Sequence, residues 1–154
     1  MTECNIRVHA TCVALPDAGG GWAGLLLRGS SGAGKSDLAL RLIDGGARLV
    51  ADDQTELRSV DGVVMANAPR SLAGKIEVRG VGIVDLPYLD TVPVMLVCDL
   101  VAPELVARHP EPRFTCLAGV ELQLLAVAPF EVSTPAKLRL GVVAVRHGIV
   151  GARN

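Results

Sequence analysis

Short apolar runs, separated by breaks rich in glycine, proline and aspartate, recur along this chain. The first run, Ile6–Leu15, predicts a strand, and the glycine-rich break after it predicts a hairpin into a second strand at Ala23–Arg28. A stretch of good helix formers then predicts a helix that Gly45 and Gly46 end. Ala47–Ala51 predicts the next strand, which completes a strand, loop, helix, strand unit.

The dipeptide Asp61-Gly62 is a turn signal between two apolar runs, because this pair is preferred in type I′ hairpin turns. Glu56–Val60 and Val63–Ala66 are therefore predicted to pair as antiparallel strands. A hairpin next to a strand, loop, helix, strand unit favours an α/β fold with a mixed sheet. The further predicted strands are Lys75–Val78, Gly82–Val84, Pro93–Cys98, Val120–Ala126 and Leu140–Val145.

The chain has 154 residues, and half of them are apolar, which is enough for one substantial core. We therefore expect one domain spanning residues 1–154, with a short, frayed tail from Arg146 to Asn154. The 15 basic and 16 acidic side chains are scattered and leave a net charge of -1. Without a basic stripe, nucleic acid is not an expected partner.

The four cysteines are widely spaced and form no CxxC pair, so neither a zinc site nor a disulfide framework is indicated. The amino terminus, Met1–Asn5, lacks the basic start and apolar core of a signal peptide. No apolar run approaches the roughly 18 to 20 residues that a membrane span needs. These features predict a cytoplasmic protein without a membrane span.

The main chemical motif is a phosphate-binding loop (P-loop), Gly29-Ser30-Ser31-Gly32-Ala33-Gly34-Lys35-Ser36, which matches GxxxxGK[ST] in full. Glycines let backbone N–H groups wrap an anion, and the following helix presents its positive end to the same charge. Lys35 is expected to reach the β- and γ-phosphates, and the Ser36 hydroxyl to ligand Mg²⁺. The simpler alternative is an ordinary glycine-rich turn, but the flanking strand and helix favour phosphate binding.

A P-loop needs a carboxylate near its metal, and two strand ends supply candidates. Asp52 and Asp53 follow Leu49–Ala51, and Asp99 follows Val94–Cys98. Two adjacent carboxylates repel each other and suit a cation or a proton transfer, whereas a solvated strand end is the structural alternative. The pattern alone does not separate the two candidates.

These motifs together resemble the catalytic domain of bacterial HPr kinase/phosphorylase, which phosphorylates a serine of the phosphocarrier protein HPr and removes the phosphate again. The likeness begins at His9, includes the P-loop and Ala51-Asp52-Asp53, and continues to Ile76–Ile83, which resembles the family signature L-E-I-R-G-L-G-I. The resemblance implies a P-loop fold of the phosphoenolpyruvate-carboxykinase-like kind. It also implies ATP or pyrophosphate as phosphoryl donor, Mg²⁺ and an HPr-like protein as partner.

Position by position, the resemblance implies roles for the acidic residues. Asp53 corresponds to the acid/base residue that takes the proton of the substrate serine, with Asp52 supporting it. Glu77 corresponds to a Mg²⁺ ligand beside Ser36, and Arg79 shapes the same segment.

Two further residues are candidates for catalysis. His9 matches the histidine at the start of the family domain, although a histidine in a strand, taken alone, is more often structural. Arg108 falls where the family has a catalytic arginine, and an exposed arginine without a catalytic role is the alternative.

The chain also departs from the family pattern. The resemblance implies a chain without the family's amino-terminal domain and most of its carboxy-terminal helices, similar to the shortened form of some proteobacteria. The segment that the family associates with phosphate removal is replaced by Pro135–Leu140, where Lys137 and Arg139 are candidates for binding inorganic phosphate. The resemblance further implies a homo-oligomer, with a hexamer as the typical family assembly.

Three functions therefore compete at this point. The first is a protein serine kinase with phosphorylase activity, favoured by Asp53 and Glu77. The second is a small-molecule kinase or NTPase that uses Asp99 as metal ligand. The third is a regulatory module that binds nucleotide without catalysis.

Overall fold

A computed structural model describes residues 4–147 of the chain. The strands are β1 (Asn5–Val8), β2 (Ala10–Pro16), β3 (Trp22–Arg28), β4 (Arg48–Ala51), β5 (Thr55–Val60), β6 (Val63–Asn67), β7 (Lys75–Val78), β8 (Gly82–Asp85), β9 (Val92–Leu100), β10 (Phe114–Leu117) and β11 (Val120–Val127). The α-helices are α1 (Lys35–Asp44) and α2 (Thr134–His147), and short 3-10 turns span Arg70–Leu72 and Pro103–Leu105. Neither α-helix of this described part is long and apolar enough to cross a membrane.

The sheet is mixed, as the sequence predicted. Its main path runs β1-β5-β6-β9-β3-β2-β4, and β11 pairs with β9 and with β10. The central strands β3 and β9 are parallel, whereas β2 is antiparallel to both β3 and β4. β7 and β8 form a separate antiparallel hairpin.

Two apolar layers cover the faces of this sheet. On one face α1 packs over β2 and β4 and α2 packs over β9, with Leu38, Leu42 and Leu138 fully buried. On the other face the outer strands of the curled sheet pack against the central ones through residues such as Leu26 and Leu57. This arrangement presents the start of α1 and the carboxyl ends of β3 and β9 at the same edge of the sheet.

Most of the predicted elements of the first half are confirmed. The helix ends at Gly45, and Asp61 and Gly62 both have positive φ, 52° and 80°, as a type I′ turn requires. The strand predicted over Ile6–Leu15 is interrupted at His9, because β1 pairs with β5 whereas β2 pairs with β3 and β4. The chain changes sheet neighbours at that histidine.

Two predictions for the second half are wrong. Leu140–Val145 was predicted as a strand, but it lies in α2, where Leu138 and Val142 are buried four residues apart on one helix face. Gly141 allows close packing, since a Cβ there would lie 2.9 Å from Leu125 Cδ1. The strand β10 was not predicted. Of the predicted frayed tail, Arg146 and His147 belong to α2, and the rest lies outside the described residues.

Candidate active site

The P-loop connects β3 to α1 and is held in a shape that suits an anion. Gly32 and Gly34 have φ of 82° and 104°, which side chains rarely allow. The Lys35 side chain is only 5% exposed, and its Nζ donates to the carbonyls of Gly29 at 2.8 Å and Ser30 at 3.2 Å. The first N–H groups of α1 have no acceptor within the helix, so they are free to bind phosphate.

Asp52 fastens the P-loop helix to the sheet. Its Oδ1 accepts hydrogen bonds from Ser36 Oγ at 2.6 Å and Thr11 Oγ1 at 3.1 Å. Its Oδ2 accepts one from the backbone N–H of Glu77 at 3.0 Å. This single carboxylate therefore joins β2, α1 and β7 to the end of β4.

Asp53 presents the second carboxylate to solvent beside the P-loop lysine. Its Oδ1 lies 2.6 Å from His9 Nε2 and 3.8 Å from Lys35 Nζ, and its side chain is 55% exposed. Its φ of 68° is in the left-handed region, which costs a non-glycine residue on the order of 1 kcal/mol. Strain of this kind at an exposed carboxylate is typical of a functional position.

Thr11 is a site residue that the sequence reasoning missed. It is fully buried in β2, and its Oγ1 donates to Asp52 and accepts the backbone N–H of Asp53 at 3.0 Å. One hydroxyl thus positions both neighbouring aspartates. A polar residue in the apolar run Ala10–Leu15 was the signal for it, because buried hydroxyls need partners.

Glu77 and Arg79 lie on or next to β7, at the rim of the site. Both side chains are exposed. The backbone of Glu77 contacts Asp52, so the segment predicted from the family signature does lie against the P-loop helix. Arg79 follows β7 in the turn to β8, and its side chain has no hydrogen bond or ion pair within residues 4–147.

The oxygen groups at this edge fit Mg²⁺ better than a softer metal. Ser36 supplies a hydroxyl and Asp52 a carboxylate, and the two are hydrogen-bonded to each other. Glu77 has an exposed carboxylate, and its backbone N–H donates to Asp52. In the described part of the chain, no three His, Cys, Asp or Glu side chains converge to form a cage. Mg²⁺ is typically held by one or two carboxylates together with substrate phosphates, so this donor set fits it.

Asp99 is held by Arg28 rather than left open. Arg28 Nε donates to Asp99 Oδ1 at 2.8 Å and its second terminal nitrogen to Oδ2 at 3.2 Å, which is a bidentate pair. The guanidinium also donates to Thr115 Oγ1 at 3.3 Å. The small-molecule kinase or NTPase that uses Asp99 as metal ligand is therefore not favoured.

The remaining predicted residues are not brought together. Arg108 is exposed on the stretch between the Pro103–Leu105 turn and β10, with no hydrogen bond or ion pair in the described chain. Lys137 pairs with Glu131 at 3.1 Å. The Arg139 guanidinium lies against Gly45, because a Cβ added to Gly45 would clash with it. Gly45 is at the opposite end of α1 from the P-loop. Residues two apart on a helix also face different sides, so Lys137 and Arg139 do not form one cluster.

The fold and this edge together define an α/β protein of the phosphoenolpyruvate-carboxykinase-like P-loop kind, with a carboxylate beside the loop lysine. The family described as HPr Serine kinase C-terminal domain matches residues 4–90. The chain belongs to this family, as the resemblance implied.

Individual relatives agree with this assignment. The chain is 50% identical over 66 residues to the HPr kinase/phosphorylase of Clostridium novyi (strain NT), covering 43% of this chain and 22% of the relative. It is 47% identical over 83 residues to that of Clostridium acetobutylicum, covering 54% and 26%. The chain thus spans about a quarter of the length of these relatives.

A solved structure extends the similarity over the fold. The Hpr(Ser) kinase/phosphatase from Coxiella burnetii superposes with a TM-score of 0.78 at 26% identity, over 92% of this chain and 97% of that chain. The fold class predicted from the sequence is confirmed.

Proposed function

We propose that this chain is an ATP-dependent protein serine kinase that acts on an HPr-like phosphocarrier protein. The observation that carries the proposal is the Asp53 carboxylate, 3.8 Å from Lys35 Nζ and 2.6 Å from His9 Nε2. These distances support Asp53 as a proton acceptor next to Lys35, the residue that we propose binds the transferred phosphate. Membership in the family supports the choice of a serine hydroxyl and an HPr-like partner.

In the proposed reaction Asp53 accepts the proton of the serine hydroxyl. As the serine oxygen bonds to the γ-phosphorus, the bond between that phosphorus and the leaving ADP oxygen breaks. Lys35 offsets the charge of the phosphates, and His9 orients the Asp53 carboxylate through their hydrogen bond. Such a transition state needs orientation more than strong basicity, which suits an exposed carboxylate in a fixed position.

Ser36, Asp52 and Glu77 are the residues that would hold Mg²⁺. The ion, when bound, would neutralise charge on the phosphate oxygens of the nucleotide. Asp52 has a second task that does not depend on a metal, since its hydrogen bonds fix the start of α1 against β2 and β7.

Phosphate-dependent removal of the serine phosphate is a second candidate activity. The names of the relatives, kinase/phosphorylase and kinase/phosphatase, favour it. In this direction Asp53 would return a proton to the serine oxygen. Pyrophosphate as an alternative donor, Arg108 as a catalytic residue, the phosphate-binding role of Lys137 and Arg139, a homo-oligomer and a cytoplasmic location remain predictions within this proposal.

The proposal is tested with Asp53→Asn. Incubation with labelled ATP, Mg²⁺ and an HPr-like protein should give phosphoserine with the wild-type chain, and about 10²–10⁴-fold less with the variant, because its proton acceptor is gone. Binding of ATP, measured by calorimetry, should stay within about twofold, since the amide keeps the shape of the carboxylate.

Asp61→Asn is the matched control, because Asp61 is also an aspartate with positive φ but lies in the turn between β5 and β6. It should leave transfer unchanged. Full activity of Asp53→Asn would refute the role of Asp53. ATP binding without transfer to any HPr-like protein would instead favour the regulatory module.

A further inference from the structure

An open apolar groove of about 490 Å³ lies beside the P-loop. It is lined by Ala33 of the loop, by Leu100–Pro103 after β9, and by Ala128–Glu131 between β11 and α2. This volume falls within the roughly 300–1,000 Å³ of small-molecule sites. Because Ala33 belongs to both, the groove and the phosphate site are continuous.

Phe130 is the distinctive residue of this groove. Phe130 is 68% exposed. Its ring nevertheless lies against the P-loop, because a Cβ added to Gly34 would be only 2.8 Å from Phe130 Cζ. An exposed aromatic face next to a phosphate site can stack on a base, which is worth about 1–3 kcal/mol.

The segment that carries Phe130 is firmly anchored. Thr134, fully buried, donates through Oγ1 to the carbonyl of Ala128 at 2.5 Å. Arg41 of α1 donates to the carbonyl of Pro129 and is itself paired with Asp37. Hydrogen bonds to both helices therefore anchor the backbone of the two residues that precede Phe130.

We propose that this groove binds the base of the nucleoside triphosphate whose phosphates bind the P-loop. The inference rests on the proposed function. It implies that the site is shaped for a nucleotide as phosphoryl donor, and not for pyrophosphate. Glu131 is the one lining residue with a polar side chain, and Lys137 already holds its carboxylate at 3.1 Å. Base edges are thus not recognised by side chains, and GTP should bind within about tenfold of ATP.

The test compares ATP with inorganic tripolyphosphate, which carries phosphates without a base. Calorimetry in Mg²⁺ should show Phe130→Ala binding ATP roughly 5- to 150-fold more weakly, while binding tripolyphosphate within about twofold of wild type. Phe130→Trp should keep ATP affinity because it keeps the stacking face. Val132→Ala, at a residue that is 99% exposed and outside the groove lining, should change neither ligand.

Two results would overturn the inference alone. Unchanged ATP affinity in Phe130→Ala would remove the base from the groove, and equal losses for both ligands would show that the ring only supports the P-loop. A raised KM for the protein substrate at constant ATP affinity would assign the groove to that protein. If the wild-type chain bound neither ATP nor tripolyphosphate, the proposed function would fail with the inference.

Discussion

Buried hydroxyl groups determine how the two aspartates of the site are presented. Thr11 and Thr55 are both fully buried, but only the hydroxyl of Thr11 contacts Asp52 and Asp53. Thr55 Oγ1 donates instead to the carbonyl of Ala10 at 2.8 Å. A comparison of Thr11 and Thr55 variants can therefore distinguish a hydroxyl that only stabilises the fold from one that also orients the aspartates of the site.

Thr11→Val is expected to lower both stability and phosphoryl transfer. Loss of the hydroxyl leaves the N–H of Asp53 and a carboxylate oxygen of Asp52 with one partner fewer, which should cost about 1–3 kcal/mol in urea unfolding. Thr55→Val should cost a similar free energy of unfolding but keep the transfer rate of the remaining folded protein. Thr11→Ser should recover activity, and equal rates for the two valine variants would contradict a positioning role for Thr11.

Among the secondary-structure elements, the ends of β3 and β9 frame the start of the P-loop. Arg28 is the last residue of β3, and its bidentate pair with Asp99 ties this strand to β9. A Cβ on Gly29, the next residue, would lie 3.5 Å from Leu100 Cβ, so the two strand ends are in close contact there. The pair supports the loop mechanically, and Arg28 occupies both carboxylate oxygens of Asp99.

Asp99→Asn is therefore expected to affect stability rather than metal use. Weakening a half-buried bidentate pair should lower the free energy of unfolding by about 1–3 kcal/mol. The Mg²⁺ concentration for half-maximal transfer should stay unchanged, whereas Ser36→Ala should raise it. Asp85→Asn, which weakens the exposed pair with Lys75, is the control and should change the unfolding free energy by less than about 1 kcal/mol. A raised Mg²⁺ requirement in Asp99→Asn would restore Asp99 as a metal ligand.

At the scale of the whole molecule, the two apolar layers can be monitored by their cysteines. Cys98 belongs to the layer beneath α1 and α2, and Cys12 to the layer on the opposite face. Burial raises the pKa of the Cys12 thiol to about 12, and burial, with the charge of Asp99 adding to it, raises the pKa of Cys98 above its usual range. Cys4 and Cys116 are exposed.

We expect two fast-reacting thiols in the native protein and four after unfolding. At pH 8 a thiol reacts through its thiolate, and a raised pKa keeps Cys12 and Cys98 protonated as well as inaccessible. Titration with Ellman's reagent, with and without guanidinium chloride, measures both numbers. Rapid reaction of a third thiol in the native protein would show that one apolar layer opens, and Cys12→Ser or Cys98→Ser would identify which.

Local signals in the sequence determined the position of the P-loop and much of the first half of the fold. The P-loop, the helix stop at Gly45 and the turn at Asp61-Gly62 each depend on a few adjacent residues whose backbone preferences are nearly independent of context. The family resemblance was predictable for the same reason, because its motifs are contiguous. The confirmed fold class followed from these signals and that resemblance.

Tertiary structure decided which carboxylate is available and where the later elements lie. Asp52 and Asp99 have similar local patterns, and only the approach of Ser36 to one and Arg28 to the other distinguishes them. The Leu140–Val145 segment has strand-forming residues, but burial of Leu138 and Val142 against the sheet favours a helix. Likewise Phe130 is distant from Gly34 in sequence, and only the folding of the chain places its ring at the P-loop. Such contacts depend on packing between remote segments, which no local propensity encodes.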